Sequence, residues 1–183
     1  MIEQAVSFLL DTLTGFFTAL FLLRFLMQWQ RVSFANRFGM FVARMTDVVV
    51  IPLRHLVPGF SGLDIASLAA AYLFQFFQTA VLFALYGHLG RFESGDLFLP
   101  HAIPLLLEPL RGTLRVALHL LIALLLLHAL LSWTNPYSPA GEPIARLTRP
   151  FLRPIRRFIP LIANIDLSPL IAFVLARFFL IFL

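Results

Sequence analysis

Four long apolar runs constrain this chain more than any other feature of its sequence. They extend over residues 5–29, 65–88, 113–133 and 167–183, and each contains few charged residues. A helix needs about 20 mostly apolar residues to cross the hydrocarbon core of a bilayer. With 60% of its 183 residues hydrophobic and only 13% charged, the chain is too apolar for a soluble domain of this size. The sequence therefore predicts an all-α membrane protein with four transmembrane helices.

The positions of the arginines predict the orientation of these helices. All 14 basic residues are arginines, and nine of them lie in the segments 30–64 and 134–166, against two in the segment 89–112. Short loops rich in arginine stay on the cytoplasmic side of a membrane. We therefore expect both basic loops to be cytoplasmic and both termini to lie outside.

The two basic loops are similar to each other in sequence. RMTDVVVIPLRHLVP at 44–58 aligns with RLTRPFLRPIRRFIP at 146–160, and RFLMQW at 24–29 aligns with HALLSW at 128–133 after a two-residue shift. The chain is therefore predicted to contain two parallel repeats, 1–88 and 113–183, each a span, a basic interfacial segment and a span. Residues 89–112 form an outer linker, whose three prolines favour an interfacial or re-entrant segment over a fifth span.

The second repeat carries a specific combination of motifs. NPYSP at 135–139, TRP at 148–150, LRPIRR at 152–157 and IDLSP at 165–169 follow one another. In this combination the chain resembles the YggT family, also called the YlmG family, over nearly its whole length. The first repeat departs from the pattern at Arg37, Val48 and His55. The resemblance implies a small bacterial or plastid membrane protein, and we expect the bacterial inner membrane. It also implies a link to hyperosmotic tolerance, cofactor assembly on membrane cytochromes, or division or nucleoid organisation.

Residues 146–159 are predicted to form an amphipathic helix at the membrane surface. At about 100° per residue, its five arginines fall within one arc and large apolar residues lie opposite. Pro150 predicts a break near Arg149. With two arginines of the first loop, this surface is the predicted platform for anionic lipid or a protein partner: Arg44, Arg54, Arg146, Arg149, Arg153, Arg156 and Arg157. The alternative is that the arginines only determine topology.

Two aspartates stand just before the second and fourth spans. Asp64 directly precedes the second span, and Asp166 lies two residues before Ser168. A carboxylate at such a position can cap the start of the helix. It can also pair with an arginine earlier in the same loop. The candidate pairs are Arg54 with Asp64 and Arg156 with Asp166, and the sequence leaves both interpretations open.

The polar and charged residues within the predicted spans include Asp11, Arg24, Gln75, Gln78 and Arg177. Charge is costly in lipid, so such residues are candidates for a functional role. They support the alternative function, an oligomeric channel or transporter for ions or small osmolytes. Asp11 and Arg177 lie at matched depths, and we predict an ion pair between them.

No catalytic motif is recognisable in the sequence. H-E-x-x-H, G-x-S-x-G and Walker-type patterns do not occur, and His119 and His128 are spaced for opposite faces of one helix. We therefore expect no enzymatic activity, no cofactor, no metal site and no direct nucleic-acid binding. The favoured function is non-enzymatic, in membrane assembly, membrane organisation or osmotic-stress tolerance. The expected partners are membrane lipids, above all anionic ones, with a membrane or cytoplasmic protein and self-association as open alternatives.

Overall fold

Six α-helices form the described parts of the chain. The computed structural model describes residues 2–57, 59, 63–86, 98–134, 141–157 and 166–183. The helices are α1 (Ile2–Trp29), α2 (Arg37–Leu56), α3 (Ile65–Tyr86), α4 (Phe98–Thr134), α5 (Gly141–Arg156) and α6 (Ser168–Leu180). The prediction of an all-α fold is confirmed. The NPYSP turn, residues 89–97 of the predicted linker and the end of the second basic segment at 158–165 lie outside the described residues.

Three of these helices are long and apolar enough to cross a membrane. They are Gln4–Trp29 in α1, Ile65–Leu85 in α3 and Leu105–Ser132 in α4, with 26, 21 and 28 residues. α6 is apolar but has 13 residues, about 20 Å of helix against a hydrocarbon core of roughly 30 Å. The structure thus contains three helices of spanning length and a shorter apolar helix, where the sequence predicted four spans.

The longest helix, α4, continues through the junction predicted at residue 112. It has 37 residues and is therefore about 55 Å long. Pro100 lies in its first turn, where the backbone N–H groups have no partner within the helix in any case. Near Pro109 the chain stays helical, and the Thr113 hydroxyl donates to the Pro109 carbonyl at 2.8 Å. The apolar part of the predicted linker and the third span are therefore one helix.

The helix α5 is continuous as well. Pro150 and Pro154 lie inside it, so the predicted break near Arg149 is wrong. Each proline removes one backbone donor, but most of the stability of a helix in a protein comes from packing of its buried face. That face packs on α4 and α6 and contains Ile144, Leu147, Thr148 and Leu152.

The core holds α2 and α5 at the same end of the helical assembly. α1 packs on α3 and α4, and α6 packs on α4, whereas α2 contacts α1 and α3, and α5 contacts α4 and α6. One buried cluster joins α1, α2, α4 and α5, through Leu23, Met27, Val42, Leu124 and Leu147. The helices α2 and α5 therefore lie on one face of the protein.

Candidate functional site: charge clusters and the arginine face

The first charge cluster forms where α1, α2 and α3 meet. The Nη1 of Arg24 donates to Thr46 Oγ1 at 2.6 Å and to Asp47 Oδ1 at 2.7 Å. Its Nε lies 3.6 Å from Asp64 Oδ2 and has no hydrogen-bond partner among the described residues. Only 6% of Arg24 is exposed. Arg24, a candidate for a role within the membrane, is therefore a buried cation between two carboxylates.

Asp64 is the centre of this cluster. Arg54 donates to both of its carboxylate oxygens, from Nε at 3.2 Å and from Nη2 at 2.6 Å. Ser67 Oγ donates to Oδ2 at 2.6 Å. Burial raises the pKa of Asp64, but the hydrogen bonds from Arg54 and Ser67, together with the positive charges of Arg54 and Arg24, outweigh burial and hold that pKa below its usual value. The ionised carboxylate thus ties the start of α3 to the end of α2.

The second charge cluster lies between α5 and α6. The Nε and Nη2 of Arg156 donate to Asp166 Oδ2 at 2.9 and 2.5 Å, and the Ser168 backbone N–H donates to Oδ1 at 3.0 Å. Burial raises the pKa of Asp166, whereas the hydrogen bonds from Ser168 and Arg156 lower it, and the net shift is downward. Asp166 therefore both accepts a hydrogen bond from the first backbone N–H of α6 and pairs with an arginine, whereas the Asp64 side chain bonds Arg54 and the Ser67 hydroxyl.

A further contact occurs at aligned positions of the two halves. Arg24 of α1 bonds Thr46 of α2, and the aligned His128 of α4 has its Nδ1 3.3 Å from Thr148 Oγ1 of α5. Both threonines are buried. An arginine in the first half and a histidine in the second thus meet the same kind of hydroxyl.

Asp47 is the member of the first cluster that the sequence interpretation missed. Its carboxylate binds Arg24, 23 positions earlier in the chain. The aligned residue in the second half is Arg149, so the charge at this position differs between the halves. A buried arginine at the end of a span could have indicated that a carboxylate was needed, but not which one.

The exposed side of α5 carries only arginine and glutamate as charged residues. We call Arg146, Arg149, Arg153, Arg156 and Arg157, which are all exposed, the arginine face. Arg146 pairs with Glu142 at 2.6 Å, and Arg156 pairs with Asp166. Within the described ranges, no ion pair or hydrogen bond involves the other three side chains: Arg149, Arg153 and Arg157. Three cationic groups therefore remain available to bind an anion.

The exposed side of α2 differs from that of α5. It combines the exposed arginines Arg37 and Arg44 with large exposed apolar side chains: Phe38, Phe41, Met45, Val48 and Leu56. A helix with apolar and basic exposed arcs is typical of the boundary between lipid tails and headgroups. The aligned surface elements of the two halves thus have different chemistry.

The polar residues within the spans mainly join α1 to α3. Asp11 Oδ1 accepts a hydrogen bond from Gln78 Nε2, and Gln75 Nε2 donates to Thr18 Oγ1 at 3.3 Å. Arg177 is exposed on α6. The predicted ion pair between Asp11 and Arg177 is wrong, because Asp11 accepts a hydrogen bond from Gln78 of α3, whereas α6 packs on α4 and α5.

Comparisons with known proteins identify relatives in several bacteria. The profile of the CCB3/YggT family matches residues 3–85 and 107–183. Protein YggT of Escherichia coli (strain K12) is 35% identical over 170 residues, which are 92% of this chain and 83% of that protein. A Pseudomonas aeruginosa protein is 31% identical over 175 residues (94% and 84%), and one from Vibrio alginolyticus is 33% identical over 178 residues (96% and 91%). All three are described as uncharacterized. No solved structure is significantly similar to the chain.

Proposed function

The chain belongs to the CCB3/YggT family, and from this premise we propose that it is a non-enzymatic organising protein of the bacterial inner membrane. Its arginine face binds anionic, phosphate-bearing lipid headgroups, and through them the protein acts in membrane organisation or osmotic-stress tolerance. α2 and α5 lie at the cytoplasmic surface and both termini lie outside, because nine arginines occupy the two basic loops against two in the linker.

The proposed architecture has four spans in two parallel repeats. Equivalent contacts in the two halves support it: Arg54–Asp64 with Arg156–Asp166, and Arg24–Thr46 with His128–Thr148. α6 is short for a span, but a bilayer can thin locally around a short helix at a cost below about 1 kcal/mol per Å.

The observation that carries the proposal is a group of three arginines, on α5 and directly after it, that have no partner within the described residues. Arg149 and Arg153 lie one above the other on α5, and Arg157 directly follows the helix. Like charges this close repel one another. The guanidinium group can grip a phosphate through two parallel hydrogen bonds. Each arginine near an anionic leaflet contributes about 1 kcal/mol. A row of phosphates would therefore both relieve the repulsion and add about 3 kcal/mol of binding.

The neighbouring helix α2 favours lipid over a protein as the ligand. Its exposed Phe41 and Val48 suit the acyl boundary, where interfacial helices bury their apolar sides. The core holds α2 and α5 at the same end of the assembly. The arginine face would then lie at the level of the lipid headgroups.

The proposal is tested with two triple variants of equal charge. Arg149→Gln, Arg153→Gln and Arg157→Gln together remove the unpaired arginines but leave the Arg156 pair intact. The control, Arg91→Gln, Arg111→Gln and Arg177→Gln, removes the same charge from three positions outside both basic loops. Both proteins are placed in nanodiscs of mixed phosphatidylglycerol and phosphatidylcholine, and the lipids retained are counted by native mass spectrometry.

We expect the α5 variant to lose most of a preference for the anionic lipid that amounts to roughly 100-fold. The control variant should keep it within a few-fold. If both variants lose it equally, net charge alone explains the binding and the arginine face has no special role. A third outcome is that the parent shows no preference for the anionic lipid but forms a crosslink to another protein in native membranes. If the α5 variant loses this crosslink, the ligand is a protein partner.

A second function, conduction of ions or osmolytes by an oligomer, is favoured by one observation. Four polar side chains lie along the contact between α1 and α3: Asp11, Thr18, Gln75 and Gln78. Phe21 and Phe74, with ring centroids 5.1 Å apart, separate this line from Arg24. We therefore expect proteoliposomes to show no ion or osmolyte flux above that of protein-free liposomes. If the proteoliposomes show a flux and Asp11→Asn abolishes it, our proposal is wrong and the protein conducts ions or osmolytes.

A further inference from the structure

A stripe of ionisable side chains follows the exposed side of α4. Glu108, Arg111, Arg115 and His119 are all exposed and follow at intervals of three and four residues, so they share one face. Arg111 pairs with Glu108 at 2.8 Å. No aspartate or glutamate side chain in the described part of the chain pairs with Arg115, whose Nη2 donates to an oxygen of Leu183, the last residue of the sequence. An exposed arginine on a membrane helix with no acidic side chain beside it is expected to meet a further polar partner.

A second polar stripe lies on α1. Gln4, Ser7 and Asp11 follow with the same spacing of three and four residues. The exposed Asp11 carboxylate accepts one hydrogen bond, from Gln78, and no cation pairs with it within the described ranges. A carboxylate without a cation is costly within a span, so Asp11 is expected to meet one. Asp11 is thus the acidic counterpart of Arg115.

The Asp11 carboxylate and the Arg115 guanidinium lie at the same depth. Asp11 is 18 residues from Trp29, and Arg115 is 17 residues from Ser132, where the two apolar helices end on the side of the basic loops. At about 1.5 Å per residue, both lie roughly 26 Å from that end. α1 and α4 pack in one core cluster with these ends together. A second copy of the chain in the same orientation therefore presents the opposite charge at the right height.

An apolar groove lies beside Arg115. It has a volume of about 290 Å³ and is lined by Leu114, Leu118, Phe179, Phe182 and Leu183. On α1, Phe8 is 67% exposed and stands one turn from Asp11, on the same side of the helix. A contact that brings Asp11 to Arg115 thus brings an aromatic side chain to the groove. Buried aromatic anchors in pockets dominate many protein interfaces.

We propose that the chain associates with copies of itself through unlike faces, with the α1 stripe of one copy against the α4 stripe of the next. Asp11 of one copy then pairs with Arg115 of its neighbour, and Phe8 enters the groove. The low dielectric of the membrane strengthens such a pair. Contacts between unlike faces close into a ring or continue as an open array. The arginine face of α5 is not part of this contact, so this inference stands or fails separately from the proposed lipid binding.

Disulfide crosslinking tests the contact in the native charge background, because the chain has no cysteine. One tagged copy carries Phe8→Cys and a second, differently tagged copy carries Leu118→Cys, and both are oxidised in the membrane. We expect a crosslink when both are expressed together, at least about tenfold above that of either variant alone. A Phe8→Cys crosslink to itself would show that like faces meet and overturn the proposal. Absence of any crosslink would also overturn it.

Charge reversal in the same cysteine backgrounds tests the ion pair. Asp11→Arg or Arg115→Asp alone places like charges opposite each other and should lower the crosslinked fraction about tenfold. The two reversals combined should restore it to within about twofold. Arg37→Asp on α2 changes the net charge as Arg115→Asp does but lies away from both stripes, and should have no effect. Loss of crosslinking in the combined variant while Arg37→Asp keeps it would overturn the pair.

Discussion

Neutralising Asp64 should destabilise the protein much more than neutralising Asp166. The Asp64 side chain is 2% exposed and faces Arg54 and Arg24. Asp64→Asn keeps the shape of the side chain but leaves Arg54 and Arg24 without this negative charge. Breaking a buried ion pair by removing one partner costs about 3 to 5 kcal/mol. Because Arg54 is 41% exposed, water reduces the loss, and we expect about 3 kcal/mol.

Asp166→Asn is the matched comparison in the second half. The Asp166 side chain is 17% exposed and its partner Arg156 is 46% exposed. Asparagine keeps a side-chain oxygen that can accept a hydrogen bond, so the contact with the Ser168 backbone N–H can persist. The remaining loss is that of a solvent-exposed pair, about 1 kcal/mol. The two substitutions should therefore differ by about 2 kcal/mol.

The assay is unfolding by dodecyl sulfate in mixed micelles, followed by circular dichroism, which gives the free energy of unfolding of each variant. Arg54→Gln and the double variant with Asp64→Asn complete a cycle whose coupling energy should be about 1 to 3 kcal/mol. Equal losses for the two aspartate variants, or strictly additive losses within the cycle, would refute the reasoning. The charge at Asp64 would then contribute nothing specific to the contact between α2 and α3.

Three further predictions concern pH, packing and orientation. The lowered pKa of Asp64 means that its contribution to stability is complete above the ordinary carboxylate pKa and is lost as the pH falls through the folded-state value. At pH values below about 4 the unfolding temperature should therefore fall, and it should fall less in the Asp64→Asn variant than in the parent. A Cβ at Gly39 would lie 2.6 Å from the neighbouring backbone, so Gly39→Ala should cost about 2 kcal/mol in the same assay. A Cβ at Gly15 would have no atom within 4 Å, so Gly15→Ala should not lower the free energy of unfolding. Equal losses for the two variants would contradict the packing at Gly39. A cysteine at Ser94 should react with an impermeant reagent from outside and one at Ser138 should not; the reverse would overturn the orientation.

The sequence predicts the apolar helices well where a long run has one clear end. The run that forms α1 ends near Trp29, and the run that forms α3 begins at Ile65, as in the structure. The start of α4 was not predictable in this way, because prolines near a helix start cost little and the apolar pattern continues across residue 112. α5 shows the same limit, since burial of its apolar face outweighs two internal prolines that locally oppose a helix.

Pairing between distant residues follows from packing more than from spacing. The contact of Arg54 with Asp64 could be predicted as one of two alternatives, the other being a helix cap, because the two residues lie only ten positions apart in the sequence. Asp47 could not be identified, because its contact with Arg24 depends on how α2 lies against α1. Matched depth led to the wrong partner for Asp11, since depth does not say which helices are neighbours.

The position of the arginine face relative to lipid phosphates is the central claim of this account. A spin label on Pro154→Cys, an exposed position next to Arg153, allows a direct measurement by phosphorus NMR in bilayers of equal parts phosphatidylglycerol and phosphatidylcholine. We predict that the label relaxes the phosphorus of the anionic lipid at least about twofold more strongly than that of the zwitterionic lipid. Equal relaxation of both lipids would contradict the claim that the arginines of α5 select anionic headgroups.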